Sequence, residues 1–124
     1  MNEQLLTKFQ NSFSAYQEKR ILLYGTGINA KAIIERYDDS YRILGILTLK
    51  QSKNILYGKH VFQIEDVEGL APDLIIVTET EHLDRLLSSC PGNIPIYDLE
   101  GKCLNLPKSV NKKISSRKEQ ISEI

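Results

Sequence analysis

No apolar run in this sequence exceeds four or five residues. A bilayer-crossing helix needs roughly 20, so no transmembrane segment is expected. Cysteine is scarce as well: Cys90 and Cys103 stand thirteen apart, form no C-x-x-C pair and have no histidine at ligand spacing. Neither a zinc site nor a structural disulfide is expected from them. Nor is there an excess of either charge. Sixteen basic and sixteen acidic side chains cancel to a formal net charge of zero, which argues against a general nucleic-acid binder. Residues Met1 to Lys8 combine neither a charged n-region with an apolar h-region nor any other secretion signal. A cytoplasmic chain with two ordinary thiols is the expectation.

What is present is an ordinary globular composition, 41% hydrophobic and 26% charged, in 124 residues. That length suits one domain with a real core, but not a complete two-domain oxidoreductase. The charge is unevenly distributed. From residue 107 onward five basic residues face two acids, which leaves the body mildly acidic with 11 basic and 14 acidic residues. The division expected is an N-terminal helix over residues 1–19, a nucleotide-binding domain over 20–106, and a polar tail or linker over 107–124.

Leu5, Phe9, Phe13 and Tyr16 recur at spacings of four, four and three, which predicts an amphipathic helix over about residues 2–18 lying against the core. Ile21 to Tyr24 reads as a buried parallel strand. Ala30, Ile33, Ile34 and Tyr37 then mark the inward stripe of a helix that begins after Gly27. Further strands are predicted at Arg42 to Leu47, His60 to Gln63, Asp73 to Thr78 and Ile94 to Asp98. A helical turn is predicted at Glu65 to Leu70. A helix is predicted around Glu81 to Ser89, with Leu83, Leu86 and Leu87 inward. Pro95 suits an edge position for the last strand. Strands alternating with helices through short turns specify a three-layer α/β domain. The expected sheet is parallel, of about five strands in the order 3-2-1-4-5, with the N-terminal helix as an extra.

The chemistry lies in Gly25-Thr26-Gly27-Ile28-Asn29-Ala30, which fits G-x-G-x-x-G/A between a strand and a helix. The first glycine allows the tight turn and the second lets backbone approach a pyrophosphate. The third position needs a small residue for close packing, and Ala30 supplies it. Anion binding would come from free N–H groups at the helix start and from its dipole. In an open parallel sheet the ligand sits outside the carboxyl ends of the strands. The candidate binding residues are therefore Gly25, Thr26, Gly27, Ile28, Asn29, Thr48, Thr78 and Glu79, with Asp98 on the same rim. Thr26 and Thr78 would offer hydroxyls to the crevice and Asn29 would donate near a phosphate, though each also fits a solvated cap. An NAD site places an acid about twenty residues beyond the glycines. Here that place holds Thr48, with no acid between Asp39 and Glu65. Lys50 and Lys53 fit either a phosphate contact, as in NADP or coenzyme A sites, or a solvated loop.

No tyrosine is followed four residues later by lysine; the occupants are Arg20, Ile28, Tyr41, Gly45, Val61 and Gly101. The proton-transfer pair of short-chain dehydrogenases and epimerases is thus missing. His60 and His82 have no spacing that supports a nucleophile with its base. No catalytic residue and no metal ligand is assigned.

Taking the glycine turn with Ile43-Leu44-Gly45-Ile46, Tyr57-Gly58-Lys59-His60-Val61, Pro72-Asp73-Leu74-Ile75-Ile76-Val77 and Ile94-Pro95-Ile96-Tyr97-Asp98, the chain resembles a bacterial family of small Rossmann-like modules. These occur as N-terminal or accessory domains of surface-polysaccharide proteins. Their hosts include sugar O-acyltransferases, nucleoside-diphosphate-sugar epimerase or dehydratase relatives, and proteins with glycosyltransferase or haloacid-dehalogenase-type segments. The resemblance covers about residues 20–101. It implies a nucleotide-type ligand, NAD(P) or a nucleotide sugar, and docking to a downstream catalytic domain or a homo-oligomer. In that family strand two typically ends Gly-x-x-Asp, and Thr48 stands at the acid's position. Three functions follow: a non-catalytic nucleotide or sugar-nucleotide binding module, a ligand-free interaction or oligomerisation domain, and a fragment of an NAD(P)-dependent sugar-nucleotide epimerase or dehydratase.

Overall fold

A computed structural model describes residues 3–105, and the tail expected over 107–124 lies outside the described residues. Two apolar clusters sit on opposite faces of one sheet, and the alternation of its central strand explains why. In β1 (Arg20–Tyr24), Ile21 and Leu23 enter one cluster while Leu22 and Tyr24 enter the other. This is the period-two alternation of a strand covered on both sides. The first face is covered by α1 (Glu3–Phe13) and α2 (Ile28–Tyr37). The second is covered by the short α3 (Val67–Leu70) and α4 (Leu83–Ser89).

The remaining strands are β2 (Arg42–Leu47), β3 (Ile55–Leu56), β4 (Lys59–Phe62), β5 (Leu74–Val77) and β6 (Ile96–Tyr97). Their spatial order is β3-β4-β2-β1-β5-β6. All neighbours are parallel except β3 with β4. With β3 set aside, this is the order 3-2-1-4-5 that the sequence predicts, and the fold is Rossmann-like. The added strand β3 is a two-residue antiparallel edge that the sequence reading did not contain. Among the described residues, no helix is long and apolar enough to cross a membrane.

Register in β2 is broken once. Ile21 pairs with Ile43 but Leu22 pairs with Gly45, so Leu44 is an extra residue. This bulge resets the alternation and puts both Ile43 and Ile46 in the first cluster despite their odd spacing. Gly45 then lets β4 approach: a Cβ there would lie 2.5 Å from the His60 carbonyl oxygen and 2.6 Å from the Phe62 ring.

The first helix is real but shorter than the predicted 2–18, giving way to a 3-10 turn at Ser14–Tyr16. Its buried stripe is Leu6, Phe9 and Phe13. Leu5 and Tyr16 are only half-buried against the same cluster, so the stripe's first member is corrected from Leu5 to Leu6. The spacings of three and four from Leu6 fit a helix as well as the predicted ones. Contacts with α2 decide the rotation: the Tyr37 hydroxyl donates to the Leu6 carbonyl at 3.0 Å, and the Phe9 ring stacks on Tyr37 at 5.1 Å. In α4, Leu86 alone is fully buried, with Leu83 and Leu87 packed at its sides.

Candidate functional site

The carboxyl ends of β1 and β5 converge at the point where the chain reverses direction across the sheet, and the glycine turn forms one wall of that crevice. Gly25 is buried with φ +125°. A Cβ there would lie 2.5 Å from Thr78 Oγ1 and 2.8 Å from Glu79 Cγ, so both backbone angle and space demand glycine. Gly27 caps α2 in extended conformation without a side-chain cap. The N–H groups of the first helical turn therefore have no capping side chain from that residue. Ala30 is fully buried beneath the turn, as the third position of the motif requires.

Three of the side chains expected to face a ligand instead bond backbone groups around the crevice. The Thr78 hydroxyl, 4% exposed, donates to the Tyr24 carbonyl at 2.8 Å. The Asn29 amide donates to the Thr78 carbonyl at 3.0 Å, tying α2 to the end of β5. The Thr26 N–H donates to Glu79 Oε2 at 3.2 Å. Ile28 is 67% exposed at the head of α2. Thr48, 3% exposed, closes β2 by donating its N–H to Phe62 at 3.0 Å and accepting the Lys50 N–H on its hydroxyl at 3.3 Å. It thus acts as the local cap that short hydroxyl side chains favour. Asp98 is likewise a turn cap, accepting the N–H groups of Glu100 and Lys102 at 2.9 and 3.0 Å.

Lys50 does not stand free. Its Nζ lies 2.8 Å from Glu81 Oε1. The hydrogen bond to Glu81 raises the lysine pKa and lowers that of the carboxyl. Both side chains are exposed, so this pair adds little stability. Beside it the Tyr24 hydroxyl donates to the Glu81 carbonyl. Burial first, then the negative charges of Glu79 and Glu81, push the Tyr24 phenol upward.

One residue of the site escaped the sequence reading. The Tyr57 hydroxyl donates to the Thr26 carbonyl at 2.6 Å, clamping the glycine turn from the β3–β4 side. Tyr57 and Gly58 both take positive φ, 54° and 78°, as the two-residue turn of a type I′ hairpin demands. The x-Gly pair between two short apolar stretches was the available signal.

Beside the crevice, across Glu79, lies an open cavity of about 420 Å³ whose lining includes Lys8, Thr78, Glu79, Thr80, Asp98 and Glu100. Three carboxylates, Glu79, Asp98 and Glu100, share that lining with one cation, Lys8. Among the described residues no group of three His, Cys, Asp or Glu could hold a metal ion. Cys90 is half-buried and its thiol is pushed up to about 11 by burial, the reverse of what a reactive thiol needs.

No family model matches the chain. No curated protein matches it either. Among solved structures it is similar to that of RSP in complex with beta-NADH, at 19% identity and a TM-score of 0.47. The likeness covers 97% of this chain and 66% of that one, so the chain spans just under two thirds of its neighbour.

Proposed function

We propose that this chain is a nucleotide- or nucleotide-sugar-binding module that holds its ligand's phosphate on the backbone of Gly25 to Asn29. It would be a cytoplasmic accessory domain of a bacterial surface-polysaccharide protein, docked to a catalytic domain and carrying no catalytic residue itself. The observation that carries this reading is the junction of β1 and α2. Gly25 takes a left-handed φ of +125°, Gly27 leaves the helix without a side-chain cap, and Ala30 lets the helix pack close. Such a junction presents N–H groups and the positive end of a helix dipole to an anion. Thr48 in place of an acid after β2 disfavours a ribose grip of the NAD type.

Isothermal titration with UDP-sugars, NAD(H), NADP(H) and coenzyme A tests the reading. Saturable heat with one class supports it, and no heat or thermal shift with any of them sinks it.

A second reading, a ligand-free domain for oligomerisation or docking, is favoured by one specific observation. Asn29, Thr78 and Glu79 each already make a hydrogen bond to backbone within the crevice. It predicts a homo-oligomer in sedimentation together with silence in every titration.

A further inference from the structure

Among the described residues, Glu79 is the carboxylate that hydrogen-bonds the glycine turn, and the phosphate reading leaves it without a task. Its Oε2 accepts the Thr26 N–H at 3.2 Å. Its Oε1 lies 3.1 Å from the Cβ position of Gly27, and its Cδ lies 3.0 Å from that of Gly25. One carboxylate thus spans both glycines, in the volume where a pyrophosphate would approach the same backbone. We propose that Glu79 is an internal anion seated on the glycine loop, and that a nucleotide diphosphate enters only by displacing it. This rests on the loop being a phosphate site and deepens that reading, because it makes Glu79 the residue that sets which ligands the loop accepts.

Two anions cannot share the turn. Like charges about 4 Å apart near a protein surface repel strongly, and here the oxygens would also overlap. The carboxylate has somewhere to go: Glu79 is only half-buried and borders the cavity of about 420 Å³. That cavity is electrostatically poor for it. Asp98 and Glu100 line the same space, and the nearby cation Lys8 is already bridged to Glu100 at 3.2 Å. Displacement is therefore opposed both by the lost Thr26 hydrogen bond and by the acids outside. A small free anion, with nothing but its charge to offer, loses this exchange. A nucleotide can win it, because contacts to its base and sugar offset the cost.

The test is calorimetric titration of ADP and of inorganic pyrophosphate into wild type, Glu79→Gln and Glu79→Ala, with thermal melts to establish that each is folded. Glu79→Gln keeps the volume and an acceptor for Thr26 while removing the charge; Glu79→Ala empties the space. The expected result is ADP binding about tenfold or more tighter in both variants, with pyrophosphate binding appearing only in them. If wild type binds ADP and both folded variants bind it equally or more weakly, Glu79 is no internal competitor, while the phosphate site stands. If none of the three proteins gives heat with either probe, the phosphate reading falls and the displacement model falls with it.

Discussion

Replacing Gly25 by alanine tests how the glycine turn is held together. The new Cβ would meet Thr78 Oγ1 at 2.5 Å and Glu79 Cγ at 2.8 Å, on a backbone with φ +125°. Holding a non-glycine residue in such a sparsely populated region costs about 1–3 kcal/mol. Overpacking by a methyl adds about 1–3 kcal/mol. The two contacts differ in kind. Glu79 Cγ belongs to a long side chain that can turn away, whereas Thr78 is β-branched, buried and fixed by its bond to the Tyr24 carbonyl. Most of the steric part therefore resides at Thr78. Gly25→Ala should lose about 2–6 kcal/mol, a large share of the 5–15 kcal/mol typical of a domain. In a Thr78→Ala background only the backbone term should remain, about 1–3 kcal/mol. The chain has no tryptophan, so urea unfolding is best followed by far-ultraviolet circular dichroism, with the four proteins forming a double-mutant cycle. A Gly25→Ala protein within about 1 kcal/mol of wild type would refute the reasoning, as would an equal cost in both backgrounds.

Two further outcomes follow from the packing. Gly45→Ala drives a Cβ against the His60 carbonyl oxygen at 2.5 Å. Backbone cannot yield there without parting β2 from β4, so a loss of about 1–3 kcal/mol or more is expected; a midpoint unchanged in urea would contradict it. Cys90, with its folded pKa raised to about 11 from 9.0 by burial, binds its proton more tightly when folded. Its contribution is thus complete below pH 9 and is lost as pH rises toward 11. Cys90→Ala should flatten that part of the stability profile in thermal melts between pH 8 and 11, and an unchanged slope would count against burial as the cause.

The fold was legible where periodicity and punctuation agreed. Ile21 to Tyr24 followed by Gly25-Thr26-Gly27, and the stripe Ala30, Ile33, Ile34, Tyr37, each carry one period with a turn residue between, and all appear as read. The N-terminal helix was legible in type but not in rotation, because Leu5 and Leu6 are adjacent leucines and only the docking of Phe9 and Leu6 on Tyr37 separates them. Strand β3 was not legible, since two residues cannot display an alternation and Ile55 is exposed. It exists through its pairing with β4, a tertiary fact. The bulge at Leu44 was hidden for the same reason: it shows only when Leu22 is matched to Gly45.

The site was legible as a place and illegible as a set of roles. Gly25, Thr26, Gly27, Asn29, Thr78 and Glu79 do meet at the β1–β5 crevice, but which group each one binds depends on side chains from two separate elements. Thr78 crowds Gly25 on a backbone at φ +125°, so the protein's own atoms demand that glycine whether or not a phosphate ever arrives, whereas Gly27 meets only the Glu79 carboxylate oxygen at 3.1 Å, the far end of a flexible side chain. A substitution at Gly25 therefore reports on folding first and on binding only through it. Glu79 is different, because glutamine fills the same space and accepts the same N–H, leaving charge as the variable. A phosphate on the turn would feel that charge directly. Charge at Glu79 is therefore the variable that tests the phosphate reading, while a change at Gly25 is read first as a change in folding.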